Sequence, residues 1–155
     1  MVVSGGQSGV DRAALDAALA VGLAIGGWCP RGRWAEDGRI AACYPMRETP
    51  LARVAQRTRW NVRDSDATLV LTAGRPRGGT LATLRAAAGR PLLVLSPECE
   101  RARRRARAFL ARHRVCSLNV AGPRASEAPG IYESARRLLE ALFRDWTGGA
   151  RKDSR

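Results

Sequence analysis

The sequence predicts an α/β domain in which a parallel sheet of about five strands is covered by helices on both faces. Strand-like apolar runs alternate with amphipathic helical patterns along the chain, and the connections are long enough for right-handed crossovers. The run at residues 66–72, Asp-Ala-Thr-Leu-Val-Leu-Thr, is apolar on successive residues, as in strands buried on both faces. The predicted class is therefore a Rossmann-like domain, in which ligands lie outside the carboxyl ends of the strands.

The first elements are short. Met1–Val3 reads as the end of a strand, and a helix follows over Val10–Val21 with Gly22 at its C-terminal cap. Residues 23–28 form a second strand that its glycines weaken. The segment Cys29–Thr49 is rich in Pro, Gly and charge, and loops of this length in compact domains are usually functional or mobile.

The rest of the chain repeats the strand–helix unit. We expect, in order, a helix at 51–61, a strand at 66–72, a helix at 80–88, a strand at 92–95, a helix at 98–113, a strand at 115–120, a polar loop at 121–130 and a helix at 131–146. The sequence thus predicts one Rossmann-like domain over residues 1–146 and a disordered basic tail over 147–155.

Composition bounds the function only loosely. The 155 residues, 45% hydrophobic, suffice for one domain with a proper core. The 27 Lys and Arg against 14 Asp and Glu give a net charge of +13, and Lys152 is the only lysine. This charge attracts polyanions or small anions, so nucleic-acid binding is one alternative function. A general preference for arginine, with the charge serving solubility, is a simpler explanation for most of the excess positive charge than nucleic-acid binding.

Location and cysteine chemistry follow from the same residues. No apolar run approaches the roughly 20 residues of a membrane span, and the first residues lack the order of a signal peptide, so we expect a cytoplasmic protein. Cys29, Cys43, Cys99 and Cys116 form no C-x-x-C pair, which disfavours a zinc site or a disulfide framework. We expect reduced thiols and no metal site.

A glycine-rich segment, Ser4–Arg12, joins the first strand to the first helix. Its glycines allow a sharp turn and keep Cβ atoms away from the backbone N–H groups, and the helix behind it favours a small anion at its N-terminus. The spacing matches neither a Walker A loop nor the dinucleotide fingerprint, and a turn that needs glycine only for geometry is an equal alternative. A second pair, Gly78-Gly79 before Thr80, also precedes a helix. Two helix N-termini at one crevice favour an anion site.

Other polar residues are candidates for that crevice. Arg31 and Arg33 on the long loop offer forked contacts to an anion, and solvated charge is an equal alternative. Asn119 is a polar residue within an apolar strand, so it needs a partner, either a ligand or the adjacent loop.

Five blocks of sequence together resemble the molybdenum cofactor carrier proteins. They are SGGQSGVDRAALD (4–16), GGWCPRGR with AEDG (26–38), WNVRDSD (60–66), GGT (78–80) and LNVAGPR (118–124). The resemblance implies a Rossmann-like homo-oligomer, a tetramer, that carries molybdenum cofactor without changing it and passes it to molybdoenzymes or cofactor-insertion factors. The first strand is shorter than in the family, and Ser8 replaces its usual threonine.

The site expected from the motifs and the resemblance is a cofactor-binding one with no catalytic residue. Phosphate, sulfate or molybdate could bind there in place of the cofactor. Its members are Ser4, Gly5, Gly6, Gln7, Ser8, Gly9, Arg12, Arg31, Arg33, Gly78, Gly79, Thr80 and Asn119.

Aromatic and acidic residues near these loops have two interpretations each. Trp28, Trp34 and Trp60 could stack on a pterin, although core or oligomer contacts are their more usual role. Asp66 could cap the strand or accept hydrogen bonds from pterin N–H groups.

A more distant resemblance suggests an enzyme as the alternative. Phosphoribohydrolases once described as lysine decarboxylases carry P-G-G-x-G-T-x-x-E, and here Thr83 stands where their glutamate would be. Without that carboxylate, no obvious acid or base assists glycosidic cleavage. A nucleotide phosphoribohydrolase therefore ranks below the carrier, and nucleic-acid binding ranks last.

Overall fold

The computed structural model describes the backbone of residues 1–150 and the side chains of residues 1–147. Its helices are α1 (Val10–Ala20), α2 (Val54–Arg63), α3 (Gly78–Ala86), α4 (Ala102–Arg112) and α5 (Ile131–Ala150). Its strands are β1 (Val2–Val3), β2 (Ile25–Gly26), β3 (Trp28–Cys29), β4 (Trp34–Ala35), β5 (Gly38–Arg39), β6 (Arg47–Glu48), β7 (Ala67–Leu71), β8 (Leu92–Leu95) and β9 (Leu118–Ala121).

Five of these strands form the central sheet, all parallel, in the order β2-β1-β9-β7-β8. The predicted α/β class is confirmed. If β9 is counted first, the order reads 3-2-1-4-5, the arrangement of doubly wound sheets. The point at which the strand order reverses therefore lies between β9 and β7. The strand that comes last along the chain occupies the middle of the sheet.

One face of the sheet is covered by α1, α4 and α5, with α1 packed against α5 and α5 against α4. Side chains alternate along a strand, and the alternate residues Leu69, Leu71, Leu118 and Val120 enter one apolar core on this side. The helices supply large apolar side chains such as Phe143 to the same core. We call this side the apolar face.

The other face lies under α2 and α3, which pack against each other. Its strand residues include Thr68 and Asn119, which are paired in register, and Asn119 Nδ2 donates to Thr68 Oγ1 at 3.3 Å. The helices add buried polar side chains, including Thr58 and Thr83. We call this side the polar face.

The segment predicted as one long loop, Cys29–Thr49, is more regular than expected. Strand β3 pairs with β6, and β4 with β5 forms a small hairpin that carries Glu36 and Asp37 at its turn. Gly27 separates β2 from β3, because a Cβ there would collide with the backbone oxygen of Ser4. The second predicted strand is accordingly broken into two pieces.

Several helix boundaries differ from the prediction. Helix α2 begins at Val54 instead of residue 51 and ends at Arg63 instead of residue 61. Helix α3 begins at Gly78 instead of Thr80, so the glycine pair lies inside its first turn. Helix α4 begins at Ala102, later than expected. Helix α5 continues through residues 147–150, which were expected in the disordered tail, and the remainder of that tail, residues 151–155, lies outside the described residues.

None of the helices in the described part of the chain combines the length and apolar character needed to cross a membrane. The four cysteines are free thiols, and only Cys29 is buried. Burial raises the pKa of the Cys29 thiol.

Candidate functional site

A cavity of about 290 Å³ opens on the polar face, at the carboxyl ends of β9 and β7. Its walls include Gln7 of the glycine loop, Trp34 of the hairpin, residues of α2 and α3, and the segment after β9. The cavity thus lies where the strand order reverses, the place at which doubly wound sheets bind ligands. The two glycine motifs meet there, the first through Gln7 and the second through Gly78, Gly79 and Thr80.

Arg57 of α2 forms the charged floor of this cavity. It is 9% exposed and pairs with the buried Asp11 of α1 at 2.9 Å, Nη1 to Oδ2. Gly5 makes room for it, since a Cβ at Gly5 would collide with the guanidinium. Burial raises the pKa of the Asp11 carboxyl, and the Arg57 guanidinium acts in the opposite direction. Arg57 therefore neutralises Asp11 and still presents donors to the cavity.

Two buried polar atoms on the cavity wall lack a protein partner. Within the described residues, Nε of Arg57 and Oγ1 of Thr80 make no hydrogen bond, although Thr80 is only 3% exposed. Buried donors and acceptors are normally paired, and an unpaired one costs about 1–3 kcal/mol. Both atoms belong to residues that line the cavity, so a ligand there could satisfy them.

The N-terminus of α3 contributes backbone donors beside these atoms. Gly78 has a φ of +46°, a conformation that favours glycine, and opens the helix. Arg77, the N-cap residue, makes no side-chain capping bond within the described chain. The first N–H groups of a helix have no intrahelical partners and carry the positive end of its dipole. The cavity therefore combines helix amides, a guanidinium and a hydroxyl, which together suit a phosphate or another oxyanion.

Glu36 holds the loops around the cavity together. Its carboxylate accepts hydrogen bonds from the hydroxyls of Ser8 and Ser126 and from the Ser126 N–H, and its own N–H donates to Gln7 Oε1 at 2.8 Å. The Ser126 and Ser8 hydroxyls hold the pKa of Glu36 below its usual range. Three separate loops therefore meet at one carboxylate.

Within the glycine loop, Gln7 and Ser8 are largely used by the protein itself. Gln7 Oε1 accepts from the N–H groups of Ser8 and Glu36, so its side-chain NH₂ is the group left for a ligand. Ser8 Oγ donates to Glu36 and accepts from the Ala125 N–H at 3.1 Å. Gln7 lines the cavity, whereas Ser8 ties the loop to its neighbours.

The other glycine-loop residues expected in the site have structural roles. Ser4 Oγ donates to the Val120 carbonyl at 2.9 Å, and the Gly6 carbonyl accepts from Arg12. A Cβ at Gly9 would collide with the carbonyl of Pro123. The Ser4 and Gly9 contacts hold the loop against β9 and the segment after it, and the Gly6 contact holds it against α1.

The arginines expected in the site lie elsewhere. Arg12 pairs with Asp37 at 3.2 Å, and Arg31 is exposed on the long loop. Arg33 donates to the carbonyls of Ile40, Ala41, Tyr44 and Met46 and so folds its own segment. The guanidinium groups of Arg12 and Arg33 hold the loops in place, and Arg57 is the cation on the cavity floor.

Asn119 also lies outside the cavity wall. It is buried under the polar face and donates to Thr68 of the neighbouring strand β7, so its observed partner is neither a ligand nor the adjacent loop. Ala121, two residues on and on the same face, reaches the cavity.

Of the three tryptophans and Asp66, Trp34 lines the cavity and the others lie outside its wall. Trp28 and Trp60 pack edge to face with ring centroids 4.7 Å apart, which is a structural contact. Trp34 is 52% exposed and lines the cavity, so it is the one of the three placed to meet a planar ligand. Asp66 accepts from the Cys116 and Ser117 N–H groups at the amino end of β7, far from the carboxyl ends.

Sequence reasoning missed three contributors: Arg57, Glu36 and Glu127. A signal existed for Arg57, because it lies on the same helical stripe as Val54 and Asn61, the inward side of α2. An arginine on an inward stripe needs a buried partner. Glu36 and Glu127 are ordinary loop residues whose neighbours come from distant parts of the chain, and no local pattern marks them.

Comparison with known proteins gives two matches. Residues 2–143 match cpYpsA, the circularly permutated YpsA SLOG family. A crystal structure from Syntrophus aciditrophicus SB, of a protein provisionally named a molybdenum carrier protein, is 38% identical with a TM-score of 0.85, over 91% of this chain and 92% of that chain. Among curated proteins no match is found. The central position of β9 agrees with a circular permutation of a doubly wound sheet.

Proposed function

Because this chain belongs to the circularly permutated YpsA SLOG family, we propose that it is a carrier that binds molybdenum cofactor as cargo and releases it chemically unchanged. The name of the similar Syntrophus structure supports a carrier of molybdenum. The resemblance of five sequence blocks to molybdenum cofactor carriers narrows the cargo to the cofactor.

One observation carries the proposal: the cavity wall holds two unpaired polar atoms beside a helix N-terminus. Among the described residues, Arg57 Nε and Thr80 Oγ1 are the buried side-chain atoms without partners. The cofactor ends in a phosphate, and phosphate oxygens would satisfy both atoms and the amides of α3. The residues present therefore fit the anionic end of the cargo.

The rim of the cavity fits the planar part of the cargo. Trp34 exposes its ring at the edge of the cavity, and a flat pterin gains from stacking on such a surface. A volume of about 290 Å³ is at the lower end for ligand sites, so the cavity accommodates one end of the cofactor and the remainder lies over the rim.

The experiment is retention and transfer of the cofactor. Purified protein mixed with cofactor released from a molybdoenzyme should slow its oxidation and then activate an apo-molybdoenzyme, with intact cofactor recovered by mass spectrometry. Failure in both assays would overturn the carrier function.

A matched pair of variants locates the binding. Gly79→Asp places a carboxylate at the N-terminus of α3, where a Cβ meets nothing within 4 Å in the described chain, so the fold should tolerate it and binding should be lost. Gly74→Asp makes the same change at a glycine with equal space outside the cavity wall and should bind normally.

A second candidate function is hydrolysis of nucleoside monophosphates. Glu127 lines the cavity and could act in place of the glutamate that α3 lacks at Thr83. Water would add to the ribose C1′ as the glycosidic bond breaks and the base leaves with a proton. Release of free base from AMP, abolished by Glu127→Gln and Gly79→Asp, would favour this enzyme over the carrier.

We also propose that the chain assembles as a homo-oligomer, in line with the tetramers implied by the resemblance. Leu51 and Val94 are large apolar side chains at least 38% exposed, as expected at a subunit contact. Light scattering of the purified protein measures the assembly directly, and a monomer would overturn this part of the proposal.

A further inference from the structure

The cavity contains an acceptor group as well as donors. The Glu127 side chain lines it, and Oε1 of Glu127 lies 3.4 Å from the position that a Cβ on Gly78 would take. The carboxylate therefore stands at the entrance to α3, beside the donors that suit an oxyanion.

Charge is nearly balanced within the cavity wall. Arg57 is compensated by Asp11 at 2.9 Å, and Glu127 pairs with Arg124 at 3.2 Å. The helix N-terminus supplies the remaining positive potential. One anionic group is therefore accommodated, whereas a second would meet the Glu127 carboxylate, and both arginines among the described lining residues are already paired with carboxylates.

Glu127 keeps acceptor capacity after its protein contacts are made. It accepts from the Arg124 Nε at 3.2 Å and the Arg124 N–H at 3.4 Å, and its side chain is 35% exposed. A carboxylate has about four acceptor positions, so two adjacent N–H donors of a ligand can still bind.

We infer that Glu127 is a specificity-determining residue that selects ligands carrying one phosphate-like group and a ring edge with adjacent N–H and NH₂ donors. The 2-amino-4-oxopyrimidine edge has this pattern, and pterins and guanine share it. The inference rests on the proposed function, since it names the part of the cargo that the Glu127 carboxylate recognises. Trp34 at the rim supports the plane of the same ring.

The experiment compares two nucleotides that differ only in the 2-amino group. Calorimetry with GMP and IMP should show GMP binding at least about tenfold tighter, because a hydrogen bond to a charged acceptor is worth about that factor or more. Glu127→Gln should remove most of this preference without lowering the affinity for inorganic phosphate. Glu133→Gln, the same change at an exposed glutamate in the first turn of α5, should keep the preference.

The outcomes distinguish a pterin from a guanine nucleotide as the ligand, and they distinguish failure of the Glu127 proposal from failure of the carrier proposal. In a competition assay, tighter binding of pterin-6-carboxylate than of GMP identifies a pterin as the ring that the cavity binds. Tighter binding of GMP identifies a guanine nucleotide. Both results support the role of Glu127. Equal affinities for GMP and IMP, or a preference that survives Glu127→Gln, overturn it. If such a result accompanies normal cofactor transfer, only the role of Glu127 in specificity is refuted. If cofactor transfer fails while the preference for GMP is intact, the carrier function is refuted.

Discussion

The two faces of the central sheet bury side chains of opposite polarity. The apolar face buries leucines, valines and Phe143 in one continuous core, whereas the polar face buries threonines, Asn119 and the Arg57–Asp11 pair. Both faces belong to the same strands, because alternate residues point to alternate sides. One set of strand positions enters the apolar core, and the other set lies under α2 and α3, which line the cavity together with the surrounding loops.

This difference separates stability from binding within a small domain. Apolar burial stabilises the fold without regard to direction, at roughly 25 cal/mol per Å². Buried polar groups stabilise only when paired, and the polar face leaves two of them unpaired at the cavity among the described residues. The polar face should therefore be the weaker contributor to stability and the stronger one to ligand affinity.

The largest effect is expected from Arg57→Ala. It leaves Asp11 charged and buried without a partner, which costs about 3–5 kcal/mol, and it removes the cavity's floor cation. Urea unfolding should show the loss of stability, and phosphate binding should disappear.

The double variant Arg57→Gln with Asp11→Asn controls for folding, because it removes both charges together. We expect it to recover much of the stability without recovering phosphate affinity. Phosphate binding by the double variant would contradict the role of Arg57.

Leu139→Ala tests the apolar face. Leu139 is fully buried, so its truncation should cost about 2–5 kcal/mol through lost burial and a residual cavity. Phosphate affinity, measured by calorimetry on the folded fraction, should stay within about twofold of the parent. A large loss of affinity would show that the two faces are coupled more strongly than their composition suggests.

Thr80→Val should change stability and affinity in opposite directions. The substitution keeps the shape and removes an unpaired buried hydroxyl, so the free energy of unfolding should rise by about 1 kcal/mol while phosphate affinity falls roughly tenfold. Thr83→Val is the matched control in the same helix, since it breaks the Oγ1 bond to the Gly79 carbonyl and should lower stability instead. Thermal denaturation with and without phosphate measures both.

The smallest expected effect is the loss of folding stability at acidic pH that depends on Glu36. Because its folded pKa is lowered by the Ser126 and Ser8 hydroxyls, its ionised form adds stability above the ordinary glutamate pKa of about 4.3, and this stability is lost as the pH falls through the lowered value. Glu36→Gln should therefore flatten the acid end of the stability profile. Identical slopes for parent and variant below about pH 4.3 would contradict the role of Glu36 in holding the loops.

The periodicity of the sequence was sufficient for the fold class, because strand and helix patterns are local. The glycine motifs also indicated the correct end of the sheet, since the carboxyl ends of parallel strands share one edge.

The chemistry of the cavity was harder to predict, because it depends on pairs that are distant along the chain. Gly5 makes room for an arginine more than 50 residues away, where the sequence suggested room for a ligand. Arg33 looked like a ligand-binding cation, and four carbonyls of its own segment use its guanidinium. Contacts of this kind have no signature in composition or spacing.

The position of β9 has a consequence for how the molecule is made. Within the described chain β1 and β7 each pair with β9, so the two halves of the central sheet are joined by the last of its five strands to be synthesised. Synthesis must therefore pass residue 121 before the central sheet can close. A nascent chain stopped short of that point would hold two unconnected strand pairs with open edges, exposed to chaperones or to each other.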